Sequence, residues 1–517
     1  MRYRTPALLT AAILGFSIGW TGTGAATTDH GTLVRTDSGP VRGAAAEGYR
    51  SFLGIPYAAP PVGELRWRAP RAPQPWTAPR DATALAANCA QTAGGNMPST
   101  NEDCLYLNVF TPNGPSRRKP VMVWLHGGGN AYGAGGLYDP HRLAVGANAV
   151  VVTANFRLGL FGFLGHPALG DSGAYGLQDQ QAALRWVRRN AAAFGGDPGN
   201  VTLVGESAGS NDVCAHLVAP ASRGLFHRAI MESGACSMTW PANGIVFGHP
   251  ASSPWISPAD AYAQSATLAT GYGCTDAATM AACLRGVSAA QLIAVDFGPT
   301  PTMYGNSTLP QRPDLALAAG RFARVPVISG NTRDEGRLTA AFTPAPFDYS
   351  AALRSSFGDK AATVEAEYPA SAFETPRLAW GTVLTDSIWH CNQLTDDRYL
   401  NRRTPVYTYE FADEHAPTGY FPFPADISPG AFHASELAYL FDVAGFDAPF
   451  TADQQRLADL MIAYWGRFAA TGNPNGPGLP AWPRFQPDHA QTLAPAGIGS
   501  VDLHTEHNCD FWYGLAR

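Results

Sequence analysis

Short apolar runs, set off by glycine, proline or polar residues, recur through the middle of the chain. They fall at residues 121–125, 149–154, 201–204, 229–231, 325–328 and 406–411. Such runs read as strands buried on both faces of a sheet. Residues 177–193 follow a different rhythm, with Leu177, Leu184 and Val187 at helical spacing. The sequence F-G-G-D-P at 194–198 ends that helix. Strands alternating with helical segments predict an α/β architecture, a mostly parallel sheet covered by helices on both faces. Two long stretches rich in proline, glycine and aromatic residues, about 235–320 and 340–400, interrupt the alternation. They are expected to shape a substrate pocket beside the sheet. No repeat or low-complexity linker divides the chain, so residues 27–517 are expected to fold as a single domain.

The run at 201–204 leads into G-E-S-A-G, which places Ser207 at the apex of a strand-to-helix turn. A turn this tight strains the serine, and a side chain on either flanking glycine would clash. It lifts the hydroxyl off the sheet at the positive end of a helix, which suits a nucleophile whose product is an oxyanion. The run at 121–125 opens into His126-Gly127-Gly128-Gly129. Backbone N–H groups of such a glycine loop, together with that of Ala208 after the serine, are the expected oxyanion donors. An orienting acid should follow a later strand. Asp334 and Glu335 both stand after 325–328, and pattern alone does not choose between them. The base should come later still, where His390, His415, His433, His489, His504 and His507 all qualify by order. Proximity to the end of the strand at 406–411 slightly favours His415.

The chain has 517 residues, 45% of them hydrophobic, enough for a large core. Charged residues make up 15%, below the usual value of about 25%, and the net charge is −6. That balance argues against a nucleic-acid partner and against binding to an anionic membrane. Arg2 and Arg4 precede an apolar run at 7–18, and Gly24, Ala25 and Ala26 follow it. This is the pattern of a secretory signal peptide over 1–26, too short in its apolar part to span a bilayer and cleaved near Ala26. The mature chain is therefore expected to be extracellular, with no membrane span. Eight cysteines in a secreted chain imply disulfides. Cys89 and Cys104 bracket one polar loop, and Cys274 and Cys283 another. No C-x-x-C spacing points to zinc.

Several motifs together resemble the type-B carboxylesterase and cholinesterase family of α/β-hydrolases. F-G-G at 194–196, four residues, then V-T-L-V-G-E-S-A-G fits the family's serine-site pattern. E-D-C-L-Y-L-N-V at 102–109 fits its second pattern, and N-F-R-L-G at 155–159 and G-I-P-Y-A at 54–58 are also similar. The likeness runs from about Leu33 to Trp512. It implies an α/β-hydrolase fold and a serine carboxylesterase acting on small-molecule esters, with no cofactor and no metal. By this resemblance Glu335 is the acid, His433 in G-A-F-H-A-S-E-L the base, and Gly128, Gly129 and Ala208 the oxyanion donors. Glu206 and Ser233 would support the triad by hydrogen bonds, and Cys391 would pair with Cys509. Cys214 and Cys236 are left undecided. Two departures stand out. Asn130 replaces the usual aromatic or apolar residue and is expected beside the scissile ester, and the Cys89–Cys104 loop lacks the tryptophan that stacks on choline. A lipase, an aryl-ester or lactone hydrolase, or a non-catalytic adhesion relative are the competing readings.

Overall fold

The apolar runs form the middle of an eleven-stranded sheet in the computed structural model. The structure describes residues 31–92, 97–114, 118–295, 298–419, 421–446, 449–486 and 489–515. The expected signal peptide lies outside them. In chain order the strands are β1 (Ala44–Ala46), β2 (Tyr49–Pro56), β3 (Tyr106–Pro112), β4 (Lys119–Leu125), β5 (Val150–Ala154) and β6 (Gly196–Glu206). They continue with β7 (Arg228–Glu232), β8 (Val327–Thr332), β9 (Val406–Phe411), β10 (His489–Ala494) and β11 (Gly497–Asp502). Across the sheet the order is β11-β10-β9-β8-β7-β6-β4-β5-β3-β2-β1. From β10 to β5 all neighbours are parallel, and the strands outside that block pair antiparallel.

Side chains alternate across each strand, so the continuous apolar runs feed two cores. Val121, Val123 and Leu125 of β4 face one core with Val201 and Leu203 of β6, while Met122, Trp124 and Val204 face the other. Helices α1 (Tyr175–Asn190) and α2 (Ala208–Val218) cover the first face, through Leu184, Val187, Val213 and Leu217. The expected helix over 177–193 thus starts earlier and tightens into a 3-10 turn at Ala191–Phe194, which Gly195 ends at φ +88°. Between β8 and β9 run α3 (Pro376–Leu384) and α4 (Cys391–Asn401), joined by a π-helical turn, Thr385–His390. The second face is covered by α5 (Ala452–Thr471), which begins with a Thr451–Gln454 capping box and ends at Gly472, φ +78°.

Thr32–Arg517 cluster as one compact unit. Disulfides join Cys89 to Cys104, Cys274 to Cys283, and Cys391 to Cys509, and a fourth joins Cys214 to Cys236. The sequence could not bring that last pair together because the approach is tertiary. Ser210 and Asn211 of α2 donate to the carbonyls of Gly234 and Ala235, which sets the two cysteine Cα atoms 5.6 Å apart. Among the described residues no helix is long and apolar enough to cross a membrane.

Candidate active site

β6 ends and α2 begins with no residue to spare between them. Ser207 sits in that junction at φ +56°, ψ −122°, a backbone conformation held only because both flanks are fixed. A Cβ on Gly205 would lie 2.4 Å from the Gly209 carbonyl oxygen, and one on Gly209 would lie 2.1 Å from that of Leu125. The Ser207 N–H donates to the Glu232 carbonyl at the end of β7, tying the turn to the next strand.

The Ser207 hydroxyl lies 2.9 Å from His433 Nε2, and His433 Nδ1 lies 2.5 Å from Glu335 Oε2. The other Glu335 oxygen accepts the Thr332 N–H at 2.9 Å. The two adjacent acids therefore do different things. Asp334 turns away, accepts the Ala431 N–H and pairs with Arg333 and Arg337, which fixes the segment carrying His433. His415 is exposed and is not brought to Ser207; its backbone N–H is held by Asp413. Strand proximity thus pointed to a histidine the fold keeps away from Ser207, whereas the longer excursion carries His433 across the top of the sheet.

The glycine loop after β4 comes close enough to the serine that no side chain would fit. A Cβ on Gly127 would meet Glu206 Oε2 at 2.6 Å and Ser207 Cβ at 3.0 Å. Gly128 and Gly129 have φ of +97° and +64°. Among the described residues no acceptor takes the N–H groups of Gly128, Gly129 or Ala208. Asn130, next to Gly129, is buried, and its amide Nδ2 donates to Asp212 Oδ1 of α2 at 3.2 Å.

Residues 30–512 match the Carboxylesterase family. The chain is 36% identical over 489 residues to para-nitrobenzyl esterase of Bacillus subtilis (strain 168), covering 89% of this chain and 94% of that protein. It is 34% identical over 519 residues to cocaine esterase of Homo sapiens, covering 91% and 88%. The chain belongs to the carboxylesterase family. Among solved structures, a PNB esterase at 32% identity superposes with a TM-score of 0.76, over 93% of this chain and 99% of its own. The fold is that of an α/β-hydrolase, and the protein is a carboxylic ester hydrolase.

The carboxylesterase carries buried acids beside His433 that sequence reading only half found. Glu206 Oε1 lies 3.3 Å from His433 Nε2. Burial raises Glu206 to about 7, against the pull of His433. His433 itself is disfavoured as a cation by burial, yet the charges of Glu335 and Glu206 push it up to about 9. Ser233 does not touch the serine or the histidine; its hydroxyl reaches Glu436 Oε1 at 3.5 Å. Glu436 is held well above the usual carboxylate range by burial and by its acidic neighbours. Glu232, unrecognised in the sequence, accepts the Trp465 indole N–H at 2.7 Å and is raised to about 8 by burial. A glutamate directly after the apolar run 229–231, as Glu232 is in β7, was the signal available.

A cavity of about 200 Å³ lies between Leu160, Phe163, Trp240, Ile256 and Pro299. Part of its wall, Thr300, donates its N–H to the Gly129 carbonyl at 2.7 Å, so the expected insertion 235–320 does reach the glycine loop. His390, Glu410 and His507 bring potential metal-ligand atoms within 4.8 Å of one another. Their geometry does not suit a metal. The two imidazoles stack face to face, centroids 3.5 Å apart at 8°, so their in-plane lone pairs run side by side instead of meeting at an ion about 2 Å from each.

Proposed function

We propose that this carboxylesterase is a secreted serine esterase that works through an acyl-enzyme. Ser207 is the nucleophile, His433 the base and then the acid, and Glu335 the group that fixes the imidazole. One observation carries the reading: the continuous Ser207–His433–Glu335 chain at 2.9 and 2.5 Å, beside three backbone N–H groups that no acceptor among the described residues takes. Ser207 Oγ attacks the ester carbonyl carbon while its proton passes to His433 Nε2; the Nδ1 proton stays on the ring, held by Glu335. The tetrahedral oxyanion takes the N–H groups of Gly128, Gly129 and Ala208, each worth roughly 3–4 kcal/mol at such a site. His433 then protonates the departing alcohol. Water, deprotonated by the same nitrogen, attacks the acyl-enzyme and releases the acid.

The upward shifts of both Glu206 and His433 bear on this role. A Glu206 that keeps its proton no longer stabilises a cation at His433, so near neutrality part of the population holds the neutral imidazole a base requires. Secretion is supported by four disulfides, which persist outside a reducing cytosol, and by the leader-like pattern from Arg2 to Ala26. The substrates are small-molecule esters.

An organophosphonate is expected to label Ser207 stoichiometrically and abolish hydrolysis of p-nitrophenyl esters, with Ser207→Ala folded but unlabelled. His433→Ala should lower kcat by several orders of magnitude with little change in KM, and His415→Ala by about tenfold or less. Labelling of another serine with loss of activity, or the reverse order of the two histidine variants, would contradict the assignment. Across p-nitrophenyl esters of increasing acyl length, a rate maximum at short chains separates an esterase from a lipase.

A further inference from the structure

The turn Thr385–His390 is the one π-helical turn among the described residues, and it lies directly behind the acid and the base. Such turns insert an extra residue into a helix and re-aim the side chains around it. Three of its residues reach the proposed catalytic apparatus, Trp389 directly and the other two through neighbours of Glu335. Thr385 Oγ1 accepts the N–H of Gly336, the residue after Glu335, at 2.9 Å, while donating to the Gly381 carbonyl. Trp389 packs its ring on His433, centroids 5.6 Å apart. His390 Nε2 donates to the Thr332 carbonyl at 3.0 Å, and the N–H of that same Thr332 donates to Glu335.

The turn is in turn fixed from the far end of the chain. His507 stacks on His390 and donates from Nδ1 to Asp386 of the π-turn at 2.7 Å. From Nε2 it donates to Glu410 of β9 at 2.9 Å. Both acceptors are carboxylates, so His507 carries both protons and is a buried cation. Tyr368 holds the remaining Asp386 oxygen, and Trp512 holds Tyr368. The Cys391–Cys509 disulfide closes the arrangement one residue after His390 and two after His507.

Building on the serine-esterase reading, we propose that His390, with Thr385 of the same turn, is a positioning residue that holds Glu335 in register with His433. The C-terminal His507 and the Cys391–Cys509 bond keep the turn in place. His390 itself touches neither substrate nor the reacting atoms. It acts through the backbone of Thr332, whose C=O it holds and whose N–H holds the acid. Burial and the adjoining His507 charge hold His390 well below the ordinary imidazole range, which leaves it a neutral ring with a single donor aimed at Thr332. For His507, the bonds and charges of Asp386 and Glu410 outweigh burial and push it up to about 10. The Glu335–His433 contact at 2.5 Å needs this support, because a carboxylate a few tenths of an ångström out of place ceases to hold the imidazole in the tautomer Ser207 requires.

The test uses the full-length mature enzyme. His390→Leu removes the donor while keeping an apolar side chain, and Thr385→Val replaces the hydroxyl with a methyl at the same shape. In each, kcat for a short p-nitrophenyl ester should fall about tenfold or more with KM changed less than about threefold. The far-downfield proton resonance of the His433–Glu335 hydrogen bond, read in the phosphonylated enzyme, should broaden or move upfield. His390→Gln, which retains an N–H donor, should recover most of kcat. A kcat within about twofold of the parent in either folded variant, with the downfield proton unmoved, overturns the positioning role. A parent enzyme that neither hydrolyses the ester nor accepts the phosphonate overturns the serine-esterase reading instead, so the two failures are distinct.

Discussion

His433 lies between two carboxylates, Glu335 on Nδ1 and Glu206 near Nε2, and both favour its protonated form. The proposed base works when it is deprotonated, so the acid limb of kcat/KM is expected to report its pKa in the free enzyme. Glu206→Gln removes one of the two negative charges, lowers the His433 pKa, and should move that limb toward lower pH. The measurement is the pH profile of kcat/KM against Ser207-labelled enzyme as the active-site count. A limb that stays put or moves to higher pH would show that Glu206 does not act on His433 by its charge. At this scale the sequence was legible wherever chemistry demands a fixed spacing, as in G-E-S-A-G and H-G-G-G. It was less legible where two residues of one type stand side by side. Asp334 and Glu335 differ by one position, and only the course of the backbone after β8 shows that one meets His433 while the other pins Ala431. The hydrogen bond of Asn130 was illegible for a related reason. Its partner Asp212 is 82 residues away, on a helix whose packing against the glycine loop no local pattern expresses.

The junction between β6 and α2 is the element on which the site depends, and its tolerance is narrow. Gly209 places the first turn of α2 against the end of β4, where an added Cβ would meet two carbonyl oxygens, those of Leu125 at 2.1 Å and His126 at 2.9 Å. Backbone cannot yield as a flexible side chain does, so Gly209→Ala should push α2 away from the glycine loop. A loss of about 1–3 kcal/mol is expected from overpacking of this kind, read as a lower melting temperature. Phosphonate labelling should slow more than stability alone would explain. A variant with unchanged melting and labelling would mean that α2 is free to shift. The central strands were readable as continuous apolar runs because both faces are buried. The edges were not. β1 is three alanines, β11 is mostly exposed, and β2 is broken by a register shift between Phe52 and Ile55 with Gly54 at φ +67°, so none carries a clean period.

Across the whole molecule, buried ionisable groups give stability a direction in pH. Asp212, Asp396 and Asp397 are raised to about 7, Glu206 to about 7 and Glu232 to about 8, all chiefly by burial. Unfolded, these acids ionise near 4, so between about pH 4 and 8 the native state holds more protons and loses stability as pH rises. His433 and His507, raised to about 9 and 10, also favour the fold while protonated and lose that contribution as pH rises past 6.5 through those values. The buried neutral histidines His126 and His216, lowered to about 4 and 3 by burial, act in the opposite sense, but only below about pH 6.5. From pH 6.5 to 9 these shifts therefore all run the same way, and the melting temperature should fall steadily over that window in constant ionic strength. A flat or rising profile there would refute it. The α/β frame was visible from sequence as a whole, whereas the partners of these groups, such as Trp465 for Glu232, come from distant elements and were not. One consequence follows from where the parallel strands deliver their cargo. The proposed nucleophile, acid and base follow β6, β8 and β9, whereas the cavity wall comes from 160–165, 240–256, 261–268 and 299–301. The proposed triad and the cavity are thus written in separate stretches of chain. On the proposed function, evolution or an engineer can redraft the list of accepted esters by exchanging the second without re-solving the first.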